Sequence, residues 1–374
     1  MLLVSEPSLG ADEKQALVDV IDSNWITMGS RVQAFERAFA DMHRMADAVA
    51  VNSCTSGLHL VMAALGIGPG DEVLVPSLSF VATANCVVYC GARPVFVDIE
   101  SLDVPLMSCA DAAAKCTART KAVIVMHYGG YLVDRDAWRD FADSRGLFLI
   151  EDSAHAVGTA RASIFGDVAV FSFFGNKNMT TAEGGMIVAG DDGLLDRIRQ
   201  LRAHGLTSST VQRLRGQAVS YDVTMLGYNY RMDELSAAIG LVQLGKLDQW
   251  NKKRRMLAHL YRDLLEERCP DVLLPFPEER TTSHHIMPIV LPSAIDRQRV
   301  IGILRSDGIQ TTIHYPPIHC LSWYRNNTPV VSLPLTEDFA ARQLTLPLHP
   351  KMEAQHVDLV TQVLANAVTT ELAG

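Results

Sequence analysis

The stretch Ala48-Val49-Ala50-Val51-Asn52-Ser53-Cys54-Thr55-Ser56-Gly57 decides how the chain is read. A run of apolar residues has the length of a buried strand, and the polar residues after it turn the chain. Leu58, Val61, Met62 and Leu65 then recur at spacings of three and four, the period of one helix face. Upstream, Phe35, Phe39 and Met42 follow Val32 as an amphipathic helix. Downstream, Glu72–Pro76, Pro94–Ile99, Ala122–Met126, Leu147–Ile150, Val168–Phe173 and Met186–Val188 are short, β-rich apolar runs. Helical or turn-rich segments separate them. This alternation predicts an α/β domain whose mostly parallel sheet lies between helices. After about Gly190 the pattern turns helical, notably over Glu234–Tyr261, where Leu241, Leu244 and Leu247 lie at threefold spacing. The expected division is a large domain over 1–249 and a smaller C-terminal α+β domain over 250–374, with no internal repeat or low-complexity tract.

The composition sets limits. The chain has 374 residues, 48% hydrophobic and 20% charged, enough for a two-domain globular protein. Lys plus Arg number 33 against 42 for Asp plus Glu, a net charge of -9 that argues against nucleic acid as a partner. A local site can still hold a small anion against that overall charge. The seven cysteines are scattered without CxxC spacing, so neither a zinc site nor a disulfide framework is expected. No stretch approaches 18 uninterrupted apolar residues, and MLLVSEPSLGADEK lacks the pattern of a secretory signal. No membrane partner is expected, and the expected location is a reducing cytoplasm.

Four places combine polar groups with strand ends. Asn52–Gly57 puts hydroxyl residues at a strand-to-helix junction, where free N–H groups and the helix dipole favour a phosphate. Such residues also serve as ordinary helix caps. In Leu149-Ile150-Glu151-Asp152-Ser153-Ala154-His155, an Asp stands at the carboxyl end of a buried strand, where open α/β sheets bind ligands. A structural carboxylate capping the next turn reads equally well there. In Val170-Phe171-Ser172-Phe173-Phe174-Gly175-Asn176-Lys177-Asn178-Met179-Thr180-Thr181-Ala182-Glu183-Gly184-Gly185, one lysine lies between an apolar strand and a Gly-Gly turn. Desolvation there favours the neutral, nucleophilic amine, although most lysines are surface residues. The fourth, Gly227-Tyr228-Asn229-Tyr230-Arg231-Met232, opens a helix and alone would pass as a packed loop. A phosphate cup, an Asp and a later lysine together are what pyridoxal phosphate requires: an imine partner, a partner for the ring nitrogen and a phosphate anchor.

With these motifs the chain resembles the DegT/StrS family of pyridoxal-phosphate sugar aminotransferases. The likeness spans nearly the whole sequence, from Pro7-Ser8-Leu9-Gly10 through Gly68-Pro69-Gly70-Asp71 and Pro76-Ser77-Leu78-Ser79-Phe80 to His314-Tyr315-Pro316-Pro317 and Leu346-Pro347-Leu348-His349-Pro350. The blocks around Lys177 and Tyr228 are the most diagnostic. The resemblance implies a fold-type I aminotransferase with pyridoxal 5′-phosphate as cofactor. It implies Lys177 as the imine-forming lysine and proton shuttle, and Asp152 as the partner of the ring nitrogen. Phe80 would stack on the ring, with His155 beside the cofactor. Thr55, Ser56 and Ser172 would share its phosphate. Asn229 would reach the cofactor phosphate of a neighbouring subunit, which implies a homodimer with shared active sites. Arg231 would contact a substrate carboxylate or sugar phosphate.

Departures from the family pattern are Cys54, where relatives often carry Gly, and Phe174-Gly175-Asn176, which replaces a His-containing lead into the lysine. Thr207–Asp222 (TSSTVQRLRGQAVSYD) carries no assignable substrate pattern. A dehydrating branch has His at the position of Lys177, so the lysine points to transamination.

The expected reaction moves an amino group from an amino acid, L-glutamate first, to a keto-sugar nucleotide. Thr180-Thr181-Ala182-Glu183-Gly184-Gly185 leans toward C4. The product would be an amino-sugar for surface polysaccharide or antibiotic biosynthesis. The alternatives are a keto-cyclitol aminotransferase and a non-catalytic cofactor- or sugar-binding regulatory relative. His314, Tyr315 and His319 are candidates for lining the sugar pocket from the smaller domain, with core and surface roles also open. No metal site is read from them or from His284-His285, because no ligand spacing surrounds either pair. Lys252-Lys253-Arg254-Arg255 reads as a solvated helix face.

Overall fold

The computed structural model describes residues 1–159, 165–208, 219–277 and 280–373. Residues 209–218 of the Thr207–Asp222 stretch fall outside that set.

One sheet contains β1 (Ala48–Val51), β2 (Glu72–Pro76), β3 (Arg93–Val97), β4 (Thr120–Met126), β5 (Phe148–Asp152), β6 (Val168–Ser172) and β7 (Gly185–Ala189). Their order is β1-β7-β6-β5-β4-β2-β3. β7 runs antiparallel to both neighbours and the remaining pairings are parallel. Successive side chains go to opposite faces. Val49, Val51, Val168, Val170 and Ile187 join one buried cluster, while Ala48, Ala50, Ala169, Phe171, Met186 and Val188 join another. With both faces covered, the strands carry unbroken apolar runs instead of polar alternation.

The first helices are α1 (Ala11–Asp22), α2 (Ser30–His43), α3 (Cys54–Ala64), α4 (Ala82–Tyr89), α5 (Cys109–Lys115), α6 (Arg135–Asp143) and α7 (Asp192–Arg202). Leu58 and Val61 of α3, Val87 of α4 and Ile198 of α7 pack on one face of the sheet. Phe35 and Phe39 of α2, and Trp138 and Phe141 of α6, pack in the clusters on the other. The long helix α8 (Glu234–Arg268) continues past Tyr261 and runs unbroken through residues 249 and 250. Its Leu244 and Leu247 belong to the large-sheet core, while Leu257, Tyr261 and Leu265 join a separate cluster. That second cluster forms around the antiparallel pair β8 (Met287–Val290) and β9 (Gln343–Leu346), with helices Arg297–Ser306 and Ala354–Ala373. The 249/250 boundary thus falls inside a helix that serves both cores.

The Gly227–Met232 stretch precedes α8 rather than forming its first turn. Asp233 caps the helix by accepting from Ser236 N at 2.7 Å. Glu234, fully buried, accepts from the backbone N–H groups of Gly29, Arg31 and Val32 at 2.9, 3.0 and 2.9 Å. One carboxylate thereby satisfies donors that the start of α2 cannot satisfy itself, where the helix dipole favours its charge. Glu234→Ala leaves these donors unpaired and is expected to cost about 3 kcal/mol. A urea melt should show it as a lower midpoint at unchanged slope. A loss below ~1 kcal/mol would show that water replaces the carboxylate.

Candidate functional site

The parallel strands present their carboxyl ends along one edge of the sheet, the usual ligand edge of such folds. A cavity of about 360 Å³ lies there. Its walls include Ser53 and Thr55 after β1, Phe80 after β2, Met126 of β4, Asp152 of β5 and Ser172 of β6. Gly184, just before the reversed strand β7, completes this row. Lys177 enters from the β6–β7 connection, and His314 and Tyr315 come from the segment between β8 and β9.

The start of α3 approaches the sheet closely because two side chains are missing. A Cβ on Gly57 would lie 2.7 Å from a Val170 methyl, and one on Gly185 would lie 2.7 Å from Cys54 N. At that start Ser53 Oγ accepts from Ser56 N at 3.1 Å. The N–H groups of Cys54 and Thr55, in the first turn, have no intrahelical acceptor and suit an anion.

Asp152 is 4% exposed. It accepts from Thr83 Oγ1 at 2.6 Å and from Ala154 N at 3.1 Å. Burial raises its pKa, while those hydrogen bonds and the charge of Lys177 pull the other way. Burial lowers the Lys177 amine to about 8, against the opposing pull of Cys54 and Asp152. His155 is pushed well below its ordinary range by burial and then by Lys177, so it is neutral. Its Nδ1 accepts from Gly129 N at 3.2 Å, which assigns the ring proton to Nε2, 2.8 Å from the Tyr315 hydroxyl. His314 is held at about 3 by burial and by Lys177, with Nδ1 2.9 Å from Thr345 Oγ1. Among the described lining residues, Lys177 is therefore the one cationic side chain, set against Asp152 and Glu183.

The cavity brings together Thr55, Phe80, Asp152, His155, Ser172, Lys177, His314 and Tyr315. Phe80 is 57% exposed, an apolar ring left at the cavity mouth. Ser56 sits one residue further along α3, its hydroxyl 2.9 Å from Ser53 Oγ. Asn229 is exposed and its strand-like segment bridges to Ala203. Arg231 bridges to Val51 at the end of β1, and burial lowers its pKa. His319 stands apart from the cavity walls. Its Nδ1 lies 2.7 Å from Ser77 Oγ and its Nε2 3.2 Å from Glu337, so both ring nitrogens are engaged behind the β2 turn. The sequence reading missed Thr83, the second residue of α4, although it lies in the stretch Pro76–Asn85 that carries the family likeness. Its role is visible only through its contact with Asp152.

The sequence model of the DegT/DnrJ/EryC1/StrS aminotransferase family matches residues 7–365. Among solved structures, TlmJ from Streptoalloteichus hindustanus, an aminotransferase, is 34% identical over 99% of each chain, with a TM-score of 0.91. DesI, crystallised in the presence of its TDP-sugar product, is 32% identical over 100% of this chain and 94% of its own, with a TM-score of 0.89. PseC from Helicobacter pylori, an aminotransferase of pseudoaminic acid biosynthesis, is 27% identical over 99% of each chain, with a TM-score of 0.92.

The donor set fits pyridoxal 5′-phosphate. Asp152 receives two hydrogen bonds where a carboxylate accepts more, which leaves capacity for a ring N–H. Lys177 offers an amine that burial favours in the neutral form, and the start of α3 offers anion-binding N–H groups. The cofactor aldehyde captures only a neutral amine. Its uptake by the cofactor-free protein should therefore accelerate with rising pH and level off above about 8. Stopped-flow absorbance would check this, and a rate still climbing toward the ordinary lysine value of 10.5 would contradict the burial effect.

Proposed function

This chain belongs to the DegT/DnrJ/EryC1/StrS aminotransferase family, and from that membership we propose that it moves an amino group from L-glutamate to C4 of a keto-sugar nucleotide. It is a pyridoxal-phosphate-dependent sugar aminotransferase of fold type I. The finer reading makes an amino-sugar for surface polysaccharide or antibiotic biosynthesis. The observation that carries it is the meeting of Lys177, Asp152 and the start of α3 in one cavity. A nucleotide-bound acceptor is supported by the TDP-sugar product of DesI. The lean to C4 rests on the Thr180–Gly185 block.

When bound, the cofactor supplies an electron sink for a carbanion at the carbon that loses or gains the amine. In this reading Asp152 holds the ring nitrogen in its protonated form through a charged hydrogen bond. The start of α3 and Ser172 bind the phosphate, and Phe80 covers the ring and limits water. Lys177 accepts the proton of the donor's α-carbon on Nζ. In the second half-reaction it returns a proton to the sugar carbon, acting as base and acid in turn. An amine near 8 suits both tasks at neutral pH better than one at 10.5. His155 and the Tyr315 hydroxyl stay uncharged and orient the ligand without competing for the proton.

His314 and Tyr315 line the sugar end of the pocket, and Arg231 contacts a carboxylate or phosphate of the substrate. The nucleotide contributes binding energy remote from the reacting carbon. The exposed Asn229 reaches the site of a second copy, so the working form is a homodimer, placed in the cytoplasm.

Lys177→Ala should cut turnover by roughly 10²–10⁴-fold while leaving the circular dichroism spectrum unchanged. Purified protein loaded with pyridoxal phosphate should lose its visible band on adding L-glutamate and regain it on adding a 4-keto-sugar nucleotide. A band unmoved by L-glutamate would point to another donor. A band bleached by L-glutamate but not restored by any 4-keto-sugar nucleotide would overturn the proposed acceptor. Unimpaired turnover in the Lys177 variant would overturn the mechanism.

A further inference from the structure

A second cavity, about 630 Å³, lies between α8 and the loop that follows β5, and it shares no lining residue with the catalytic cavity. Arg255, His259 and Arg262 line it from α8 at positions i, i+4 and i+7, one helical stripe. Arg280 and His284 line it from the segment leading into β8. No Asp or Glu is among the described residues that line it. None of the three arginines forms an ion pair among the described residues, and Arg262 is fixed by the Pro275 carbonyl. Arg280 draws on the Glu100 carboxyl, but burial still holds that group above its usual range, toward the neutral form. In a chain of net charge -9, three guanidinium groups around one cavity, with no carboxylate among its described lining residues, concentrate positive charge there.

Two buried polar atoms in its walls point the same way. Among the described residues, Thr159 Oγ1 and His284 Nδ1 have no hydrogen-bond partner, and their residues are 3% and 9% exposed. Buried polar groups are normally paired, so each of these atoms can take a partner from a bound ligand or a water. Burial, then His259, Arg255 and Arg262, hold His284 at about 4, so it is neutral at pH 7 and its ring can accept or donate. A planar guanidinium fork matches phosphate oxygens two at a time. The cavity is too large for one phosphate group and is ringed by several cations, which favours a longer, multiply charged ligand.

We propose that this cavity is a second ligand site, which binds a diphosphate-bearing small molecule through Arg255, Arg262 and Arg280. The cofactor-loaded protein, titrated calorimetrically with inorganic pyrophosphate and separately with thymidine diphosphate, tests this against Arg255→Gln/Arg280→Gln. Among the described residues neither arginine makes a close ion pair, so the double variant should fold and keep the visible spectrum and its response to L-glutamate. The expected result is saturable binding that the double variant weakens about tenfold or more. Tighter binding of thymidine diphosphate than of pyrophosphate would identify a nucleoside diphosphate, and equal binding the diphosphate group itself. Unchanged affinity in the double variant, or no saturable binding to the unaltered protein, would overturn the proposal. Because the readout is binding and not turnover, failure here leaves the aminotransferase reading standing.

Discussion

The catalytic edge depends on how closely the start of α3 can sit against β6 and β7. Gly57 and Gly185 permit that approach, since a Cβ at either would collide with Val170 or with Cys54 N. The contact aims the first-turn N–H groups of α3 along the carboxyl ends of β1, β5 and β6. It thereby fixes the distance between an anion-binding helix end and the buried carboxylate of Asp152. A larger residue at either glycine would push the helix out and separate the two functions. Polar groups at the edge can be few because the scaffold has already placed them.

The second constraint is electrostatic. Lys177 sits where burial penalises its charge, and the histidines near it are neutral for the same reason. Desolvation therefore leaves one amine, Lys177, set against Asp152 and Glu183 beside the cavity's polar, uncharged wall. Asp152 shows the balance plainly. Burial pushes it up, while Thr83, Ala154 and Lys177 hold it back. Around the second cavity the balance is reversed, with arginines gathered and no carboxylate among the described lining residues.

Much of this was legible in the sequence, because a sheet covered on both faces announces itself as unbroken apolar runs between turn residues. The strand runs fall on β2 to β7, and Asp152 and Ser172 stand at strand ends as their positions in those runs imply. The direction of β7 was not legible, since a period of two carries no information about polarity. Nor was the extent of α8, whose apolar positions change partner partway along, from the large core to the small one. His319 shows another limit. With His314 and Tyr315 it stood as a candidate for lining the sugar pocket, yet Ser77 and Glu337 engage both its ring nitrogens behind the β2 turn. In the Lys252–Arg255 run, read as a solvated face, Lys252 and Arg255 are exposed as expected, but Arg254 is buried and its pKa falls to about 9, because the helix turns that one side chain inward.

The claim on which the account turns is that one lysine, set by the β6–β7 connection, carries the cofactor. Borohydride reduction of the cofactor-loaded protein, followed by proteolysis and mass spectrometry, tests it directly by fixing the cofactor wherever it is attached. The account predicts a single modified peptide, the one containing Lys177. Cofactor mass on a different lysine, or no fixed cofactor on a protein that shows its visible band, would contradict it.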